Sequence, residues 1–237
     1  VLDWLAEQGE TLDACVVGEP SNPEVLGEEI KIGRRGSLNG VLAVRGKQGH
    51  VAYPHAARNP IPGLMKALGA FLADRLDDGT EHFAPSNLEI TSIDVGNPTT
   101  NIVPAEARAQ FNIRYNDRHD AAGLEARLRS HCIAALAGSD LAHTLRFERS
   151  GDAFLTEPGP LVAAMCRAIA DTTGRTPRLT TGGGTSDARF IKNSCPVIEF
   201  GPVNATIHQV DERVAVADLI TLTKIYQRFM TLYPAAA

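Results

Sequence analysis

The sequence predicts an α/β protein in two parts, an incomplete α/β domain with an α+β unit inserted into it. Three observations predict this. Short apolar runs bounded by glycine alternate with helical stripes near both ends of the chain; the middle stretch runs strand, helix, strand, strand, helix, strand; and 43% apolar with 22% charged residues is an ordinary globular mixture. The order in the middle is that of a ferredoxin-like split unit, one antiparallel sheet with two helices on one face. Residues 1–36 and 152–237 are expected to form the α/β domain, and residues 37–151 the insert.

At the start, Leu2, Leu5 and Ala6 share one side of a helix closed by Gly9. Ala14-Cys15-Val16-Val17 then suits a buried strand of a parallel sheet, and Gly18 bounds it. Glu19 falls just past its C-terminal end, the edge where open α/β sheets bind ligands.

In the insert, Leu38, Gly40, Leu42 and Val44 alternate as on a half-buried strand. Leu64, Leu68, Phe71, Leu72 and Leu76 recur at helical spacing. Two strand patterns follow, Leu88 to Val95 and Ala105 to Tyr115, the second with Ala109, Phe111, Ile113 and Tyr115 on its apolar side. Leu124, Leu128, Cys132, Ala135 and Leu136 then make a helical stripe, and Thr144 to Glu148 a closing strand.

Beyond Phe154 the alternation of helix and apolar strand returns. The pattern predicts helices over 161–173, 187–192 and 216–232, the first ended by Gly174, and strands over 178–181 and 196–200.

A net charge of −5 gives no basic footprint for nucleic acid. The chain has no apolar stretch of bilayer-spanning length and its first residues do not read as a secretory signal, so no membrane partner and a cytoplasmic location are expected. Its four cysteines are scattered without a Cys-x-x-Cys pair and read as reduced thiols.

Four stretches carry the chemistry. Gly182-Gly183-Gly184-Thr185-Ser186-Asp187 allows close approach to the main chain, and Thr-Ser-Asp can cap a following helix whose amides would favour a carboxylate. It lacks the lysine of a phosphate-binding loop. Arg34 and Arg35 are adjacent, so on extended backbone they point to opposite sides, and one can aim into a site. His50 lies in the glycine-flanked stretch Gly49-His50-Val51-Ala52-Tyr53-Pro54, and Ala205-Thr206-Ile207-His208-Gln209 forms the last. The remaining histidines, His55, His82, His119, His131 and His143, occur singly and read as surface or helix-face residues.

Together with Gly18-Glu19-Pro20-Ser21, and in this order, these stretches resemble the dinuclear zinc aminoacylase and carboxypeptidase family. The resemblance implies a metal-dependent amide hydrolase with two zinc ions (Zn2+) per intact subunit, in which Glu19 and His208 are metal ligands. It further implies that Arg34 holds a substrate carboxylate and that Asn101 and Arg114 make a second carboxylate contact. The turn carrying Thr181, Gly183, Gly184, Thr185 and Ser186 would bind substrate. His50 would donate to the developing oxyanion from the partner subunit, with Tyr53 beside it. A small succinylated diamino acid as substrate and a homodimer formed through residues 37–151 are implied as well.

The family's other ligands, a His-x-Asp pair, a bridging aspartate and a glutamate adjacent to the catalytic glutamate, lie upstream of the Gly-Glu-Pro motif. Only eighteen residues precede Glu19 here, and none is histidine. The expectation is therefore the C-terminal part of a longer protein, catalytically silent by itself. The alternatives are a related deacylase or peptidase, and a non-catalytic dimerisation module.

Overall fold

The computed structural model describes residues 1–184 and 186–233. The chain divides into two compact units, Val1–Arg35 with Phe154–Ala237, and Gly36–Ala153. The first unit begins with α1 (Leu2–Glu7), β1 (Cys15–Val17), β2 (Glu29–Lys31) and β3 (Gly33–Arg34). The second contains β4 (Gly36–Arg45), β5 (Gly49–His50), α2 (Pro60–Ala73), β6 (Asn87–Asp94), β7 (Ile102–Val103), β8 (Glu106–Tyr115), α3 (Ala121–Leu136) and β9 (Ala142–Gly151). The first then resumes with β10 (Phe154–Leu155), α4 (Pro160–Thr173), β11 (Arg178–Thr180), α5 (Ala188–Ile191), β12 (Val197–Glu199) and α6 (Val216–Leu232).

In the first unit the sheet order is β1-β12-β2-β11. The pairs β1/β12 and β11/β2 are parallel, while β12 meets β2 antiparallel at Glu199 and Lys31, so the sheet is mixed rather than purely parallel. Proline at its first position and left-handed Gly174 at its end bound α4, and its Leu161, Met165 and Ile169 stripe packs with Ile30, Ile32, Ile198 and Phe200. From α6 only Leu222 and Ile225 are buried, while Val216, Ile220 and Met230 stay exposed. A two-stranded antiparallel pair joins β3 to β10, with Arg34 opposite Phe154 and Gly33 opposite Leu155.

The second unit is an antiparallel sheet of order β6-β8-β4-β9, which is the ferredoxin-like order, with α2 and α3 packed together. On β8 the expected alternation is complete: Ala109, Phe111, Ile113 and Tyr115 are all buried. They meet Leu38, Leu42, Val44 and the stripes of both helices in one core. Gly40 lies opposite Phe111, and a Cβ at that position would run into the Phe111 ring. The glycine makes room for the aromatic.

Several expectations need correction here: β1 is half-buried at all three positions rather than buried, and Leu76 lies beyond the end of α2 at Ala73. Leu72 is exposed, because it sits about 80° round the helix from Leu64, outside the buried stripe of Leu64, Ala67, Leu68 and Phe71. The closing strand is longer than the Thr144 to Glu148 expected, because its backbone stays paired with β4 through polar residues at both ends.

Candidate functional site

In the first unit β1 and β12 run side by side in the same direction, so the loops that leave them start from the same sheet edge. Asn22 ties these loops together. Its Nδ2 donates to the Gly201 carbonyl at 2.7 Å, and its Oδ1 accepts from the amides of Gly27, Glu28 and Glu29 at 3.1, 2.8 and 3.0 Å. Fully buried, this one amide uses donor and acceptor to hold a turn closed against the neighbouring loop. Ser21 Oγ accepts from the Gly201 amide at 3.2 Å, and the Asn204 amide donates to the Asn22 carbonyl at 2.8 Å.

Glu19 is half-buried in the first of these loops, and His208 is exposed on the second, four residues beyond Asn204, with a left-handed φ of 60°. A cavity of about 230 Å3 opens between the two loops, lined by Pro20, Pro202, Thr206, Ile207 and Glu212 among others. Carboxylate and imidazole are donors that zinc accepts, but a closed site needs about four ligands. Among the described residues no group of three or more histidine, cysteine, aspartate or glutamate side chains could hold a metal ion. Glu19 and His208 do not make a complete metal site within these residues.

Arg34, at the end of β3, is buried while Arg35 is half-buried, as alternation on extended backbone requires. The guanidinium meets Glu199 of β12: Nε donates to its carboxylate at 2.9 and 3.1 Å, and Nη2 also donates to Oε2. Nη1 donates to the Gly182 carbonyl at 3.1 Å. Glu199 is 1% exposed and also accepts from Ser186 Oγ, so its carboxylate is satisfied from two directions.

The triple-glycine turn closes on this pair. Gly183 has φ +101°, and a Cβ there would strike Nη1 of Arg34, so the glycine serves both the backbone angle and the close approach. Thr181 and Ser186 are buried, whereas Gly182, Gly183 and Gly184 are exposed; Thr185 lies outside the described residues. The expected helix start is present, but it is short. The helix α5 is four residues long, and Asp187 makes no capping bond; instead Ser186 Oγ accepts from the Ala188 amide at 3.3 Å. One turn of helix carries little dipole to hold an anion.

In the second unit His50 and Asn101 come together. The strands β5 and β7 pair His50 with Ile102, and the Val51 amide donates to the Asn101 carbonyl at 3.1 Å. His50 is exposed, its Nδ1 accepts from the Ala52 amide at 3.1 Å, and its ring centroid lies 5.7 Å from that of Tyr53. An acceptor Nδ1 puts the proton of the neutral ring on Nε2. Arg114 is half-buried on β8, between Ser37 on one neighbour strand and Asn87 on the other.

Two of the remaining histidines lie against carboxylates. His119 Nε2 lies 3.0 Å from Asp77 and His131 Nε2 2.6 Å from Asp74. Asn22, Glu199 and Asn204 were not among the candidates, and all three join or brace the loops around Glu19, Arg34 and His208. For Glu199 the signal is a lone carboxylate inside the apolar run Val197 to Phe200, where a charge must find a partner.

Residues 32–140 match the model of the peptidase dimerisation domain. Over 97% of its length the chain is 56% identical to a curated succinyl-diaminopimelate desuccinylase of Rhodospirillum rubrum, and over 98% it is 56% identical to one of Methylorubrum populi. It spans 59% and 60% of the length of these two relatives. Among solved structures, an aminopeptidase from Bacillus cereus superposes with a TM-score of 0.80 at 19% identity, over 95% of this chain and 58% of that one. An M20 family metallo-carboxypeptidase from Sulfolobus solfataricus superposes at 0.76 and 16% identity, over 99% and 67%. At these identities the structures speak to the fold.

Proposed function

We propose that this chain, a relative of the curated succinyl-diaminopimelate desuccinylases, is part of a zinc-dependent amide hydrolase that releases succinate from N-succinyl-diaminopimelate, in the cytoplasmic synthesis of diaminopimelate and lysine. The observation that carries this reading is the bracing of the Glu19 loop against the loop that leads to His208, at one edge of adjacent parallel strands. Zinc, when bound, supplies a Lewis acid and lowers the pKa of a bound water. Glu19 and His208 would each give one ligand, and the other ligands would come from residues outside this chain. The reading therefore includes a chain that is silent alone.

The chain's own residues would bind and orient. Arg34 would receive a substrate carboxylate on its planar fork, which a lysine cannot reproduce. The turn of Thr181, Gly183, Gly184, Thr185 and Ser186 would lie along the bound group. Asn101 and Arg114 would meet a second carboxylate, and His50, reaching across a homodimer formed through residues 37–151, would donate Nε2–H to the developing oxyanion, with Tyr53 beside it. The Ala52 amide on Nδ1 favours that tautomer.

The test is substrate exchange in the full-length protein with zinc. Faster release of succinate from N-succinyl-diaminopimelate than of acetate from N-acetylornithine is expected, and the reverse order overturns the assignment. On this chain alone, equilibrium dialysis should find less than two tightly held zinc ions; a stoichiometric pair would contradict the incomplete ligand set.

A further inference from the structure

We infer that Glu199 is a positioning residue for the carboxylate-binding guanidinium of Arg34, an inference that rests on the proposed role of Arg34. The guanidinium has two usable forks. Glu199 takes the one formed by Nε and Nη2. The other, formed by Nη1 and Nη2, turns toward the glycine turn, where Nη1 donates to the Gly182 carbonyl. A carboxylate arriving along the exposed Gly182, Gly183 and Gly184 would take this second fork in place of the Gly182 carbonyl, leaving Glu199 where it is.

Three features make the arrangement a built one. Glu199 is 1% and Arg34 8% exposed, so the pair is shielded from solvent and its geometry is not left to a mobile surface side chain. Glu199 sits on β12, inside the sheet, and Arg34 on β3, where backbone pairing to β10 fixes its Cα. Ser186, on the far side of the glycine turn, donates to the same carboxylate, so one side chain sets both the guanidinium and the turn that covers it. A buried arginine without this counter-charge would reorient toward water or close on the incoming ligand with no fixed direction. With it, the guanidinium is preset, and less ordering remains to be done when the substrate binds.

The test is made on the full-length zinc-loaded protein, with N-succinyl-diaminopimelate as substrate and succinate as inhibitor. Glu199→Gln is expected to raise KM and the succinate inhibition constant together by about tenfold, with kcat within about twofold, and Glu199→Asp to recover part of the loss. Wild-type KM and inhibition constant in Glu199→Gln, with both raised in Arg34→Lys, would overturn the role of Glu199 and leave that of Arg34. No change in Arg34→Lys would overturn both. A measurement on the wild type needs no folded variant: the Nε–H resonance of Arg34 is expected to persist at saturating succinate, because Glu199 keeps its fork. Loss of that resonance would mean that the ligand displaces Glu199, and would overturn the inference.

Discussion

Asn22 and Gly201, 179 residues apart in sequence, are joined by a side-chain to backbone hydrogen bond of 2.7 Å in a fully buried setting. Asn22→Ala leaves one carbonyl and three amides of the loop without their partner, and should cost about 3 kcal/mol of unfolding free energy. Asn22→Asp separates the two halves of the interaction. Its carboxylate can still accept from the three amides but faces the Gly201 carbonyl with no donor, so it should also destabilise, by about 2 kcal/mol. Urea denaturation of both variants checks this, and equal stability of Asn22→Asp and wild type would remove the donor from the account.

Acid stability should depend on Asp77. Burial alone would disfavour its charge, yet hydrogen bonds from Ser86, the Gly79 amide and Asn116 outweigh burial and hold the carboxyl well below the usual carboxylate range. A carboxylate depressed in the folded state contributes stability that is present above its unfolded pKa of about 3.9 and is lost as pH falls toward the folded value. Asp74, lowered by hydrogen bonds from Arg127 and His131 against an opposing burial effect, adds in the same direction. Urea midpoints between pH 6 and 2 should therefore fall steeply below about pH 4 for wild type and less so for Asp77→Asn. The gap between the two should narrow with acid; a gap that widens would contradict the sign.

Glycine 40 should tolerate no side chain. A Cβ there would meet the ring of Phe111 directly across β4 and β8, in the centre of the second unit's core. Gly40→Val should destabilise by about 3 kcal/mol or more, and Gly40→Val with Phe111→Ala by less than the sum of the two single changes. A double-mutant cycle by thermal unfolding measures the coupling.

Thiol chemistry should report folding. Burial raises the pKa of all four cysteines, and pushes that of Cys132 up to about 11, with nearby Arg129 opposing it weakly. At pH 8 the thiolate fraction of Cys132 is then about one in a thousand. Its reaction with an aromatic disulfide reagent should be slow in the native protein and rapid in guanidinium chloride. Fast labelling of Cys132 under native conditions would contradict its burial.

Long, regularly patterned elements were readable from the sequence. The stripe Leu124, Leu128, Cys132, Ala135 and Leu136 is wholly buried on α3, and the last helix spans Val216–Leu232 as its pattern predicts. The strands β2, β3, β5, β7 and β10 are two or three residues long, too short to show a period, and none was foreseen. The buried partner of Arg34 was hidden for a different reason. Glu199 occupies one position in a strand whose apolar neighbours announce only burial, and its pairing with a residue 165 positions away is a product of the fold. Asn22 likewise follows Pro20 and Ser21 in what reads as an ordinary polar turn.

The short ladder between β3 and β10 has a consequence for engineering. Because Gly33 and Arg34 already lie antiparallel to Leu155 and Phe154, the interruption in the first unit begins and ends at neighbouring points. A tight Asn-Gly turn could bridge them in place of the whole intervening polypeptide, with little change in closure entropy beyond the shortening itself. The second unit has the same property, since Ser37 and Gly151 face one another at its own ends. In each unit the points where the chain crosses to the other are already neighbours, so separating the two calls for short bridges and no rearrangement of either sheet.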